Sequence, residues 1–265
     1  MIEVIGYLLA VLIGVSLGLI GGGGSTLAVP VLVYLVGIPP VLATAYSLFI
    51  VGISSFVGSM RYTSKGMVDY KTVALFGTPS VIAVFLTRKF LVPAIPEEIA
   101  QFGNLEVSKD MLLMILFALL MVFASYSMIK PSKNEAKSKK VSNLKLAFIV
   151  MAEGLVVGVL TGLVGAGGGF LIIPALVLFA GLPMKRAIGT SLLIISVKST
   201  LGFLGDVSNY DIDWIFLVAF TLLAIGGIFI GSSLATRIDG KKLKVGFGWF
   251  ILIMGAAILG TELLF

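Results

Sequence analysis

Apolar residues run in long unbroken stretches along this chain, and polar residues are confined to the gaps between them. A helix needs about 20 largely apolar residues to cross a bilayer. Stretches that meet this condition predict spanning helices near 2–20, 41–60, 69–88, 111–129, 145–164, 186–204, 213–236 and 244–264. Two shorter apolar arms, 26–37 and 170–182, each follow a glycine cluster and precede a proline, Pro39 or Pro183. At roughly 13 residues they are too short for an upright span. They read as the returning arms of hairpins that dip into the membrane, or as short helices, and their length leaves open whether they reach the far side. The fold class predicted is all-α: a polytopic transmembrane helical bundle with Gly-broken hairpins.

The two halves of the chain match. With Gly14 set against Gly158, the register runs without a gap to Asp69 against Asp213, and about 20 of the aligned positions are identical. The coincidences include Gly21/Gly165, Gly24/Gly168, Pro30/Pro174, Gly37/Gly181, Ser47/Ser191, Ser55/Ser199 and Gly58/Gly202. Apolar composition alone rarely gives this at fixed register, so the pattern is an internal duplication of the kind on which membrane transporters are built. The organisation expected is a first transmembrane repeat over 1–129, a basic linker over 130–144 and a second repeat over 145–265.

Charge placement orients the repeats. Lys185 and Arg186, the group Arg237, Lys241, Lys242 and Lys244, and the linker lysines Lys130, Lys133, Lys137, Lys139 and Lys140 are expected on the cytoplasmic side. Asp206, Asp211 and Asp213 then fall outside, as does the loop 90–109 with Glu97, Glu98 and Glu106. The first-half counterpart of the acidic loop is Arg61–Lys71, which is basic and therefore cytoplasmic. Equivalent loops thus lie on opposite sides, and the repeats are expected to be inverted in topology, with both termini outside. The first apolar run follows Glu3 rather than a basic start, so it is expected to stay in the mature chain.

Composition removes several kinds of chemistry. The chain is 58% hydrophobic and 12% charged, roughly half the charged share of a soluble domain. It has no cysteine and no histidine, so disulfides, thiolate chemistry, classical zinc sites and histidine acid–base catalysis are excluded. No cofactor and no resident metal is expected. The net charge of +6 sits in short clusters between apolar runs, which is a topology signal rather than a nucleic-acid face.

The candidate site is a pair of glycine clusters, Gly21-Gly22-Gly23-Gly24-Ser25-Thr26 and Gly165-Ala166-Gly167-Gly168-Gly169. Glycine runs interrupt helices, and irregular backbone survives at membrane depth only where protein or a water-filled cavity covers it. A broken helix offers unused N–H groups and a positive dipole end, which suit an anion. The substrate-lining residues expected are Gly22, Gly23, Gly24 and Ser25 from the first cluster and Gly167, Gly168 and Gly169 from the second. The competing reading is that the glycines only let helices pack closely. A nucleotide loop does not fit, because neither cluster leads into a lysine.

The clusters, followed by Leu27 and Pro30 and by Leu171 and Pro174, resemble the sulfite exporter TauE/SafE family of membrane permeases. Gly37-Ile38-Pro39, Gly181-Leu182-Pro183 and Ala187-Ile188-Gly189-Thr190-Ser191 carry the same resemblance, which spans nearly the whole chain. It implies movement of a small inorganic or organic sulfur anion, such as sulfite, a sulfonate or thiosulfate, across a cell membrane with coupling to an ion gradient.

Ionisable groups inside spans are costly and usually functional. Glu153 lies about two turns into its helix, where the first half has Leu9, and is read as a proton-coupling carboxylate or a partner for Lys198. The alternative is a carboxylate in a hydrated vestibule. Lys198, opposite Ser54 in the repeat, is read either as an attractor for an anion or as a side chain snorkelling to the outer surface about 9 Å away. Of the hydroxyls Ser47, Ser54, Ser55, Thr190, Ser191, Ser196 and Ser199, Ser47 and Ser191 recur in register and are the substrate candidates. The others are expected to bond within or between helices. Asp69 and Asp213 are expected to cap helices.

Two classes of function remain at this stage. One is a secondary transporter for a small anion, with a channel or an uptake permease for another solute beside it. The other is an intramembrane enzyme or assembly factor, which is disfavoured because Lys198 and Ser199 are adjacent and do not face each other on a helix. The lipid bilayer is the expected partner, nucleic acid is not, and a homo-oligomer is compatible with the sequence.

Overall fold

The structure is a computed structural model that describes residues 2–102, 105–130, 143–235 and 237–264. The linker lysines Lys133, Lys137, Lys139 and Lys140 lie outside the described residues. Ten helical elements follow one another: α1 (Ile2–Ile20), α2 (Gly24–Leu35), α3 (Pro40–Thr63), α4 (Tyr70–Ala94), α5 (Lys109–Ile129), α6 (Asn143–Val164), α7 (Gly169–Leu178), α8 (Met184–Asp206), α9 (Trp214–Ala235) and α10 (Gly240–Leu264). Among the described residues, seven helices are long and apolar enough to cross a membrane, and α1 adds the shorter apolar stretch Leu8–Ile20. The protein is a polytopic helical membrane protein.

The loop expected over 90–109 is shorter than the sequence suggested. Helix α4 continues through Arg88 and Lys89 to Ala94, and an antiparallel hairpin of β1 (Glu98–Phe102) and β2 (Leu105–Ser108) leads into α5. Pro93 sits inside the last turn of α4, where apolar Phe90, Leu91 and Val92 carry the helix past its two cations.

Packing repeats at the same offset of 144 residues as the sequence. Helix α1 lies along α9, and its counterpart α6 lies along α4; α3 lies against α8, and α5 against α10. A Cβ on Gly14 would strike the carbonyl of Ala224, and one on Gly158 would come within 2.6 Å of the carbonyl oxygen of Ser80, which is Ala224's counterpart. The absence of side chains at these glycines lets the backbones touch. The backbone N–H of Asp69 donates to Thr190 Oγ1 at 3.0 Å, and that of Asp213 donates to the hydroxyl of Tyr46 at 2.7 Å. Both aspartates also cap: Asp69 Oδ1 accepts from the Thr72 N–H and Asp213 Oδ1 from the Phe216 N–H. Such caps are worth about 1 kcal/mol each.

The crossing of α3 and α8 defines the relation between halves. Leu192 lies 3.5 Å from the position a Cβ would take on Gly58, and Leu48 lies 3.6 Å from that on Gly202. These contacts exchange under the offset, and numbers rise along one helix as they fall along the other. Equivalent helices therefore run antiparallel, which requires a pseudo-two-fold axis perpendicular to them and so in the plane of the membrane.

Candidate functional site

Val51 and Ile195 stand at the midpoints of α3 and α8 and are counterparts. The position beside Gly167 is filled by Val51 at 2.7 Å, and the position beside Gly22 by Ile195. Both glycine clusters therefore reach the centre of the bundle, one from each side of the α3–α8 crossing. There they touch. A Cβ on Gly169 would strike the backbone of Gly22, and one on Gly167 would meet Ser25 at 3.2 Å.

The turns that deliver the clusters are related by symmetry. Gly21 and Gly165 both have φ of +68°, a conformation that only glycine adopts at little cost. A Cβ at Gly21 would meet Ile188 at 2.9 Å, and one at Gly165 would strike Thr44, the counterpart of Ile188. The first cluster forms a 3-10 turn, Gly21–Leu27, in which the Ser25 hydroxyl donates to the Gly22 carbonyl at 2.6 Å. The second ends with Gly168 in the left-handed region as the N-cap of α7. Gly22, Gly24, Ser25, Gly167, Gly168 and Gly169 are all buried; the burial of Gly23 lies outside the described set. Close packing and meeting at the centre of the bundle are both realised, and the clusters close on each other in this conformation.

Lys198 belongs to this centre. Its side chain is fully buried, its ammonium donates to Thr161 Oγ1 at 2.7 Å, and Nζ lies 2.7 Å from the position a Cβ would take on Gly168. The snorkelling expectation is thereby corrected: the ammonium turns inward to α6 and the second glycine cluster. The suggested partnership with Glu153 is corrected as well. Thr161 is eight residues beyond Glu153 on α6, about 12 Å of helix, and among the described residues Lys198 has no carboxylate in ion-pair range. Glu153 is half-buried, and among the described residues it makes no ion pair.

The hydroxyls divide differently from their sequence register. Ser191 donates to the Ile188 carbonyl at 2.9 Å and Ser196 to that of Leu193 at 2.8 Å, the local bonding that serine makes within helices. Ser47, Ser54, Ser55 and Ser199 are buried, and among the described residues they have no hydrogen-bond partner. Ser54 is the counterpart of Lys198, and Ser55 and Ser199 are counterparts of each other. Buried polar atoms are nearly always satisfied, so this group on the inner helices is unusual.

A second polar centre was missed by sequence reasoning. Arg88 on α4 is fully buried, and its Nε donates to Asp206 Oδ2 at 2.7 Å. Its two terminal nitrogens each reach Thr44 Oγ1 at 3.0 Å, and Nη1 also reaches the Gly162 carbonyl at 3.4 Å. Asp206 is equally buried, and among the described residues its Oδ1 has no partner. Tyr210, in the loop beyond, has a phenol pushed up by burial and stays neutral beside this pair. The signal available in the sequence was the apolar Phe90–Val92 after Arg88, which marks the arginine as lying inside a helix rather than at its end.

Away from these centres, a groove of about 300 Å³ lies between α4 and α8. Its lining is apolar apart from Thr78, with Val73, Val81, Ile194 and Val197 around it, and it contains no charged side chain.

A profile of the family described as sulfite exporter TauE/SafE matches residues 6–258. The chain is 29% identical over 249 residues to a "Probable membrane transporter protein" of Xylella fastidiosa (strain 9a5c), covering 93% of this chain and 90% of the relative. It is 24% identical to the "Probable membrane transporter protein YunE" of Bacillus subtilis, covering 96% and 97%, and 26% identical to a similarly described protein of Methanocaldococcus jannaschii, covering 95% and 94%. No solved structure matches.

Proposed function

This chain belongs to the sulfite exporter TauE/SafE family, and from that premise we propose that it exports a small sulfur-containing anion, sulfite, a sulfonate or thiosulfate, by alternating access coupled to an ion gradient. That it is a membrane transporter follows from the family and from its relatives. The anion, the direction and the coupling are our reading. In the same reading the repeats are 1–129 and 145–265 about the linker 130–144, and the protein sits in the cell (inner) membrane with both termini outside.

The observation that carries the reading is Lys198. A buried ammonium whose partner is a neutral hydroxyl carries a desolvation cost of several kcal/mol that no carboxylate among the described residues offsets. A guest with negative charge offsets it. Lys198 stands over Gly168, the N-cap of α7, so the helix dipole and the ammonium present the same sign to that guest. Gly22 to Ser25 approach from the other repeat, and the partnerless Ser47, Ser54, Ser55 and Ser199 supply hydroxyl donors along the inner helices. Glu153 is the proton-coupling carboxylate in this scheme.

Flux into proteoliposomes tests it. Labelled sulfite, thiosulfate and a short sulfonate are supplied in turn, with and without a proton gradient. Saturable accumulation of at least one, enhanced by the gradient, is the expected result. Linear flux without saturation favours a channel, and no flux of any anion returns the protein to a non-transport class.

A further inference from the structure

The pseudo-two-fold axis makes the two ends of the bundle comparable position by position, and their buried polar contacts differ. At the end reached by the C-terminus of α8, Arg88, Asp206, Thr44 and Gly162 join α4, α8, α3 and α6 in one buried hydrogen-bonded unit. The counterparts of these residues at the opposite end are Ser232, Tyr62, Ile188 and Gly18. There the Tyr62 hydroxyl donates to the Gly18 carbonyl at 3.2 Å, and half-buried Arg61 reaches the Ser232 hydroxyl and the Phe229 carbonyl at 2.9 Å. These hydrogen bonds go to neutral oxygens, and among the described residues no carboxylate joins them. One end is closed by a fully buried ion pair that links both repeats, and the other by neutral acceptors.

The charged unit lies on the route to the central site. Thr44, which takes both terminal nitrogens of Arg88, is the residue packed against the Gly165 turn, and Gly162 precedes that turn by three residues. Lys198 and Ser199 lie eight and seven residues before Asp206 on α8, about 10–12 Å further in. Lys185 and Arg186 at the opposite end of α8 assign the charged end to the outer face.

We infer that Arg88 and Asp206, with Thr44 holding the guanidinium, form the outer gate of the transport pathway, and that this conformation is closed to the outside. Opening separates the guanidinium from Asp206 Oδ2 and from the Gly162 carbonyl, so α3 and α4 of the first repeat move away from α6 and α8 of the second. The gate deepens the transport reading above, but its test does not depend on the identity of the solute.

The absence of native cysteine makes the test direct. Ser199→Cys, inward of the gate, is labelled in right-side-out vesicles with a membrane-impermeant, anionic thiosulfonate reagent. Slow labelling is expected in the parent, at least tenfold faster labelling with Asp206→Asn, and restored protection with the charge-exchanged pair Arg88→Asp with Asp206→Arg. Labelling of Asp206→Asn within twofold of the parent overturns the gate. Should that variant fail to fold, Thr44→Val keeps the ion pair and removes the hydroxyl that accepts from both terminal nitrogens of Arg88; about threefold faster labelling supports the gate, and an unchanged rate overturns it. Faster labelling in a protein that carries none of the anions tried leaves the gate standing and removes the anion reading. Anion flux with unchanged labelling does the reverse.

Discussion

Replacing Lys198 with methionine keeps the length of the side chain and removes its charge, and the structure fixes what should follow. The ammonium is fully buried, 2.7 Å from Thr161 Oγ1, and no carboxylate among the described residues balances it. A unit negative charge about 4 Å from Nζ is attracted by about 4 kcal/mol at an effective dielectric of ~20. The anion must also leave water, so the net contribution is that of a charge-assisted hydrogen bond, about 1.5–3 kcal/mol. At about 1.4 kcal/mol per factor of ten, Lys198→Met should weaken anion affinity roughly 10- to 100-fold. Its effect on folding should have the opposite sign. Removing a buried cation that lacks a counter-charge relieves desolvation, so the melting temperature without anion should hold or rise. Two measurements on one preparation decide the matter: flux as a function of anion concentration, and the thermal shift that saturating anion produces. Affinity within about twofold of the parent, or a marked loss of stability with affinity intact, would show that the lysine serves the fold and not the solute.

Two further outcomes are expected. Glu153→Gln should leave flux at a single pH measurable while flattening its dependence on the proton gradient; a dependence identical to the parent's removes Glu153 from the coupling. Gly169→Ala, whose Cβ would strike the Gly22 backbone, should lower stability by about 3 kcal/mol, the upper end of the cost of overpacking. Gly246→Ala, where nothing lies within 4 Å, serves as its control in a detergent melting assay, and equal melting temperatures would show that the clusters do not press on each other.

Much of this architecture can be read from the chain because the bilayer imposes a length on each helix and the duplication states every motif twice. The positive φ shared by Gly21 and Gly165, and the caps at Asp69 and Asp213, follow positions that coincide in register. What the register could not convey is how each copy has diverged. Ser47 and Ser191 are identical in sequence, yet one hydroxyl has no partner and the other bonds its own helix, because a serine's rotamer answers to its neighbours and not to its alignment. Arg88 is harder still. Beside Lys89 and near the end of an apolar run it looks like one more topological charge, and its meaning depends on Asp206, 118 residues away along the chain. Lys198 was visible as an intramembrane charge, but the direction its stem takes is set by Thr161 on another helix.

The exchange of partners between halves, α1 along α9 and α6 along α4, has a consequence for ancestry and assembly. Neither half finishes its own interior, since the surface that its opening helix requires is supplied by the other copy. A gene encoding just one half would therefore have needed two molecules inserted in opposite orientations to make a functional particle. Fusion into one chain turns that chance encounter between unlike orientations into an obligatory intramolecular event, and afterwards each copy is at liberty to acquire its own charges.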